Sequence, residues 1–214
     1  MLPVFCRDYG LRGVWMAVFH SISAFCNAGF DIFGGGQSMV PYADNIFLNI
    51  ITCVLIFFGG IGFLVIQELW QKKCQWKKLS MHTKVVLSVS LTLIIIGTLL
   101  IKLTEPVSWL CALFHSVSTR TAGFASRPIG DFGAPALLVM IVLMFIGACA
   151  GSTGGGIKVS RILILCKTVR KELHIFLHPN AIKKIKMDGK AIPHEVVRST
   201  NIFFIVYVLI FASS

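Results

Sequence analysis

Two stretches of this chain place polar and small residues at matched spacing: His20–Phe30, HSISAFCNAGF, and His115–Phe124, HSVSTRTAGF. Phe-His-Ser-hydrophobic-Ser opens both and Ala-Gly-Phe closes both, so one structural unit occurs twice. The chemistry such a tract supports is coordination of a cation by main-chain oxygens. An ion that sheds its water needs replacement ligands, and a row of backbone carbonyls aimed at one axis is a dense source. Aiming them takes non-helical backbone, for which a glycine supplies the dihedral freedom. The alanines keep the path open, while Asn27 and Thr121, each two residues before its glycine, add side-chain hydrogen bonding. Phe30 and Phe124 are expected to pack behind. Two ordinary glycine turns between helices would also fit either copy alone; the repetition favours the ion-binding reading.

A second stretch, GACAGSTGGGIK at Gly147–Lys158, sets five glycines (Gly147, Gly151, Gly154, Gly155 and Gly156) inside an otherwise apolar run. Each glycine costs a helix about 1 kcal/mol relative to alanine, so the helix is expected to break here. Gly151 and Gly156 have the spacing of a phosphate-binding loop. Ile157, however, separates Gly156 from Lys158, and no Ser or Thr follows the lysine, so that reading fails. A flexible gate beneath the paired tracts fits better, with a kinked, close-packed helix as the other possibility. Lys158 and Arg161, just after the break, could bias gating or simply anchor the cytoplasmic side. Arg120 is expected to turn away from the tract to pair or snorkel. His20 and His115, at matched positions, are read as packed, hydrogen-bonded imidazoles.

The elements that must position these residues are set by the solvent. The chain is 56% hydrophobic and 14% charged, with mean hydropathy +0.81, against about 25% charged in soluble domains. It is therefore read as an integral membrane protein. The net charge of +11 would suggest nucleic acid in a soluble protein. Here the basic residues cluster between apolar runs and mark cytoplasmic loops instead, so no nucleic-acid partner is implied. Thirteen of the 20 Lys and Arg lie in two stretches, 71–84 and 167–198, which belong on one side. Val14–Phe25 and Trp109–Ser118 are too short to cross a bilayer, which takes about 20 residues. They read as re-entrant half-helices whose C-terminal ends, partly negative, face the ion axis. Asn45–Trp70 and Val85–Leu103 are long enough to span. Ala134–Ala148 resumes after the glycine break as Ile157–Cys166, and Thr200–Ala212 begins another apolar run. Non-helical backbone at membrane depth must be buried in protein or line a watery path, which points to a pore. The seven cysteines show no Cys-x-x-Cys and read as small hydrophobes; Met1–Arg12 has no apolar core for a signal peptide. No Ser-His-Asp set, carboxylate pair or metal-ligand cluster has catalytic spacing, so no enzyme and no bound cofactor is expected.

SAFCNAGFD (Ser23–Asp31), STRTAGF (Ser118–Phe124), GACAGSTGGGIKVSRI (Gly147–Ile162) and HPNAIKKIKMDGKAIP (His178–Pro193), in that order, resemble the TrkH/KtrB/HKT superfamily of potassium transporters, specifically its TrkH type. The resemblance implies an all-α membrane fold of helix–pore-loop–helix units, arranged with pseudo-fourfold symmetry around one K⁺ path. By it, Gly29 and Gly123 are filter glycines of the second and third units. The backbone carbonyls of Cys26, Asn27, Ala28 and Gly29, and of Arg120, Thr121, Ala122 and Gly123, line the ion site. Cys149, Gly151, Ser152, Thr153, Gly154, Gly155 and Gly156 form the gating loop. Residues 1–70 correspond to the pore loop and inner helix of the second unit and 85–166 to the third unit. Residues 71–84 and 167–198 are then cytoplasmic linkers, and 199–214 open the fourth unit. The resemblance further implies a multi-pass protein of the inner (plasma) membrane, a TrkA-like nucleotide-binding regulatory subunit and a homodimer of the complete protein. The first unit, the outer helix of the second, and the pore loop and inner helix of the fourth have no counterpart here, so the chain is expected to be a fragment of the pore subunit. A non-conducting truncated subunit and a broken-helix secondary symporter are the competing functions.

Overall fold

The computed structural model describes residues 1–73, 75–178, 186–187, 190–191 and 193–213, which form an almost wholly helical bundle. Most of the His178–Pro193 motif, and Cys74, lie outside the described residues. The first helix, α1 (Leu2–Tyr9), packs on α2 (Arg12–Phe25). An irregular outer loop then leads to α3 (Ile46–Ile61), started by the Asn45 side chain, which accepts from the Leu48 amide at 3.0 Å. After α4 (Phe63–Gln71) comes α5 (Met81–Thr104), capped by Ser80, and then the short α6 (Trp109–Ser118), capped by Ser108. The last helices are α7 (Ala134–Phe145), α8 (Val159–Leu177) and α9 (His194–Ser213). Between α8 and α9 the two-residue strands β1 (Lys186–Met187) and β2 (Lys190–Ala191) pair antiparallel.

Four boundaries differ from the sequence reading. Residues 2–9 are helical, and Leu2, Phe5, Cys6 and Tyr9 at i, i+3, i+4 and i+7 form an apolar stripe that the sequence reading passed over; Phe5, fully buried, closes over His20. Asn45–Trp70 is not one continuous helix but two, α3 and α4, bent by 95° at the break. The cause is Gly62, whose φ of 88° and ψ of 149° lie outside the range open to residues with a side chain. Its neighbour Phe63 donates its amide to Gly151 at 3.1 Å, so a distant loop caps the new helix. The helix α5 begins at Met81, inside the first basic stretch. The helix α8 runs on through 167–177, into the stretch read as linker. Basic side chains report which side of the membrane a segment lies on and do not end a helix; Leu165, Val169 and Leu173 keep the i, i+4 spacing there.

Two helices among the described residues are long and apolar enough to cross a membrane, Met81–Thr104 and Glu195–Ser213. Leu91, Ile95, Leu99 and Leu103 on the first, and Ile205, Leu209 and Ile210 on the second, face outward, as helices in hydrocarbon do. The inner packing joins the two repeats. Met16, Ala24, Leu48 and Ile56 from the first share one core with Phe114, Val117, Ala122 and Phe124 from the second. At the inner corner Glu68 accepts from Lys72 Nζ (2.5 Å), the Ser80 amide (2.8 Å) and hydroxyl (2.7 Å), and the Thr83 hydroxyl, fastening α4 to the start of α5.

The seam between α5 and α6 depends on small residues. Ser116 Oγ donates to the Ile94 carbonyl at 2.9 Å, and a Cβ on Gly97 would stand 2.5 Å from that hydroxyl and 2.7 Å from Leu143 Cδ1. Gly97→Val should therefore destabilise the protein by about 1–3 kcal/mol through overpacking. The change is read as a lowered thermal unfolding midpoint of the detergent-solubilised protein; an unchanged midpoint would show that the seam is loose.

Candidate functional site

The helices α2 and α6 end, and the chain leaves helical geometry, in the same way in both repeats. Asn27 and Gly29 have φ of 51° and 72°, Thr121 and Gly123 have φ of 78° and 83°, while the alanine between each pair keeps a negative φ. For a β-branched residue such as Thr121 the left-handed conformation costs about 1–3 kcal/mol and persists only where surrounding structure enforces it. Part of that enforcement comes from a serine in each repeat. Ser23 O accepts the Ala28 amide at 2.9 Å, and Ser118 O accepts the amides of Ala122 (2.9 Å) and Gly123 (3.2 Å). The hydroxyls reach the far end of each tract: Ser23 Oγ donates to Phe30 O at 2.9 Å, and Ser118 Oγ donates to Phe124 O. Each serine thus clamps its tract at both ends.

The two tracts lie side by side. A Cβ on Gly29 would fall 2.4 Å from the Ala122 carbonyl oxygen, so only glycine admits this approach. Among the described residues no hydrogen bond ends on the carbonyls of 26–29 or of 120–123, whereas the flanking carbonyls of Ser23, Phe25, Ser118 and Phe124 all accept. The tract carbonyls are therefore available to a ligand. The C-terminal ends of α2 and α6 adjoin them and add a partly negative field.

The break at 146–158 lies directly against these tracts. Its base is closed by Ala148 N to Gly155 O (3.1 Å) and Ile157 N to Phe145 O (3.2 Å). Cys149 N donates to Gly60 O at 3.0 Å and Thr153 N to Gly59 O at 3.3 Å, which seats the loop on the end of α3. Side chains then reach the tracts. Asn27 Nδ2 donates to Thr153 Oγ1 at 2.8 Å, and that hydroxyl lies 3.0 Å from Phe25 O. Thr121 Oγ1 accepts the Gly155 amide at 3.0 Å. Lys158 Nζ donates back to Gly154 O.

Most residues singled out from the sequence converge here: Cys26–Gly29, Arg120–Gly123 and Cys149–Gly156 occupy one region. The Arg120 guanidinium is paired, donating to Ser90 O (3.4 Å), Ser90 Oγ (3.4 Å) and Gly147 O (3.3 Å). Arg161 does not reach the loop; its guanidinium sits 3.9 Å over the Phe203 ring of α9. His20 Nδ1 pairs with Met16 O at 2.8 Å and His115 Nδ1 with Cys111 O at 3.0 Å, and the rings stack beneath Phe33 (4.4 Å) and beside Phe132 (4.8 Å). Phe124 packs behind its tract at 3% exposure, but Phe30 is 69% exposed. That part of the expectation is wrong: the Phe30 backbone is held as that of Phe124 is, yet its ring finds no core. Ser23 and Ser118 escaped the sequence reading as tract clamps, although the shared Phe-His-Ser-hydrophobic-Ser was the signal for them.

Residues 4–214 match the family model TrkH, described as cation transport protein. The chain is 43% identical over 168 residues to the Ktr system potassium uptake protein B of Vibrio alginolyticus, covering 71% of this chain and 36% of that protein. It is 34% identical over 207 residues to the Trk system potassium uptake protein TrkH of Vibrio parahaemolyticus, covering 91% of this chain and 41% of that protein. The crystal structure of the potassium transporter TrkH from Vibrio parahaemolyticus superposes with a TM-score of 0.80 at 31% identity, over 93% of this chain and 44% of that one. The chain thus spans less than half the length of these relatives. The motifs, the all-helical membrane fold and these matches agree: the chain belongs to the TrkH family of cation transport proteins, which are transporters and not enzymes.

Proposed function

We propose that this chain supplies two of the four walls of a K⁺-selective path through the plasma membrane, and that the loop 149–156 lies across that path as its gate. The observation that carries the reading is the pair of matched tracts, each with alternating backbone handedness and carbonyls that no described donor occupies. A dehydrated monovalent cation needs such oxygens, and K⁺ is the cargo named for the relatives. The flanking helix ends favour positive charge, and Arg120, which would oppose it, is paired with the Ser90 and Gly147 oxygens. Two tracts cannot close a ring of carbonyls, so conduction belongs to a polypeptide or assembly with four. The basic stretch 71–84 lies on the cytoplasmic side in this reading. There a nucleotide-binding regulatory subunit would dock, the complete protein pairing as a homodimer.

The test is growth on limiting K⁺ of a cell lacking its own uptake systems. The four-unit polypeptide carrying these residues is expected to restore growth and this chain alone is not. In that polypeptide, Gly123→Ser places a side chain at φ 83° and should lower K⁺ selection over Na⁺ by roughly tenfold or more. Unchanged selection in isotope uptake would refute the filter reading. Ser118→Ala removes the hydroxyl that holds Phe124 O and should weaken selection by roughly fivefold, the worth of about one hydrogen bond. Ser118→Thr, which keeps the hydroxyl, should retain it, and equal loss in both would remove the clamp from the account.

A further inference from the structure

The two residues of the tracts that lack glycine's freedom yet hold left-handed backbone, Asn27 and Thr121, are also the two whose side chains bond to the 149–156 loop. The coincidence is specific, since the negative-φ alanine between each pair has no polar side chain to offer the loop. Asn tolerates left-handed backbone, whereas a left-handed Thr, being β-branched, reverts to the right-handed or extended region unless something outside it holds the turn. A reversal at either position swings the adjoining peptide plane and takes its carbonyl off the common axis.

We propose that the loop determines which ion the path selects, as well as whether the path is open, with Thr153 as the positioning residue. Its hydroxyl stands where three parts of the chain meet. It accepts from Asn27 Nδ2 at 2.8 Å, lies 3.0 Å from Phe25 O at the end of α2, and 3.3 Å from Gly59 O at the end of α3. Gly155, two residues on, fastens Thr121 through its amide at 3.0 Å. The loop therefore touches the first repeat through a side chain and the second through its backbone, holding both tracts from below. The bonds hold the tracts for as long as they stay made, so in this reading the path opens without parting them. Where they are removed the tract carbonyls lose their common aim, and the conducting path discriminates less.

The inference rests on the filter reading above, and its test separates the two. In the four-unit polypeptide, uptake of K⁺ and of Na⁺ is measured on the same membranes for Thr153→Val, Thr153→Ala and Thr153→Ser, so that the ratio is independent of the amount of protein inserted. Thr153→Val and Thr153→Ala should lower the K⁺:Na⁺ ratio by roughly fivefold, the worth of about one hydrogen bond, and Thr153→Ser should keep it near the parent. Asn27→Leu should lower it similarly, and adding Thr153→Val to Asn27→Leu should lower it little further, because both remove the same bond. A ratio unchanged in Thr153→Val and Thr153→Ala, with only total flux altered, overturns the proposal while leaving the filter standing if Gly123→Ser still lowers selection. Independent, multiplying effects of Asn27→Leu and Thr153→Val overturn it as well.

Discussion

Backbone that leaves the helix inside a hydrocarbon layer must have each N–H and C=O answered, because no water is there to answer them. Three segments of this chain leave the helix between apolar runs, and they answer one another. The loop's amides at Cys149 and Thr153 go to the last carbonyls of α3, and its Gly155 amide goes to Thr121. The tract amides at Ala28 and Ala122 go to the serine carbonyls of their own half-helices. What this exchange leaves without a protein partner is a set of carbonyls at 26–29 and 120–123, all in one place.

That constraint also explains the close quarters. Gly29 abuts the Ala122 carbonyl, Gly97 lets α6 and α7 close on α5, and Gly62 turns the chain through nearly a right angle where the loop arrives. Directional bonds between backbones need short distances, and only small residues permit them. The buried aromatic layer has the complementary role of setting distances. Phe5 and Phe33 enclose His20, and Phe132 lies against His115, so each half-helix is held from the outer side while its serine holds the tract from within. The two repeats differ in sequence yet reach the same geometry, because the positions that matter are few: a serine, a polar left-handed residue, an alanine and a glycine.

Arg120 shows how a position that looks unfavourable on paper is accommodated. A guanidinium beside a cation path would repel the ion if it faced the axis. Its planar fork instead reaches oxygens of two elements, Ser90 on α5 and Gly147 at the base of the loop, with no carboxylate needed. It thereby ties α5 to the root of the loop.

Local properties of the chain were legible from the residues alone. Hydropathy named the solvent, the repeat located the tracts, half-length apolar runs identified α2 and α6, and glycine density placed the break at 147–158, since each depends only on neighbouring residues. Other features were decided by contacts the sequence carries no distance for. Asn27 and Thr153 are 126 positions apart, yet their bond joins the first tract to the loop. The right-angle turn into α4 needs Gly151 to arrive at Phe63, and that Phe124 is buried while Phe30 is exposed depends on what packs around each ring. Glycine permits a turn but does not choose its direction; the choice is made by whichever distant donor or acceptor the packed helices bring within hydrogen-bond reach.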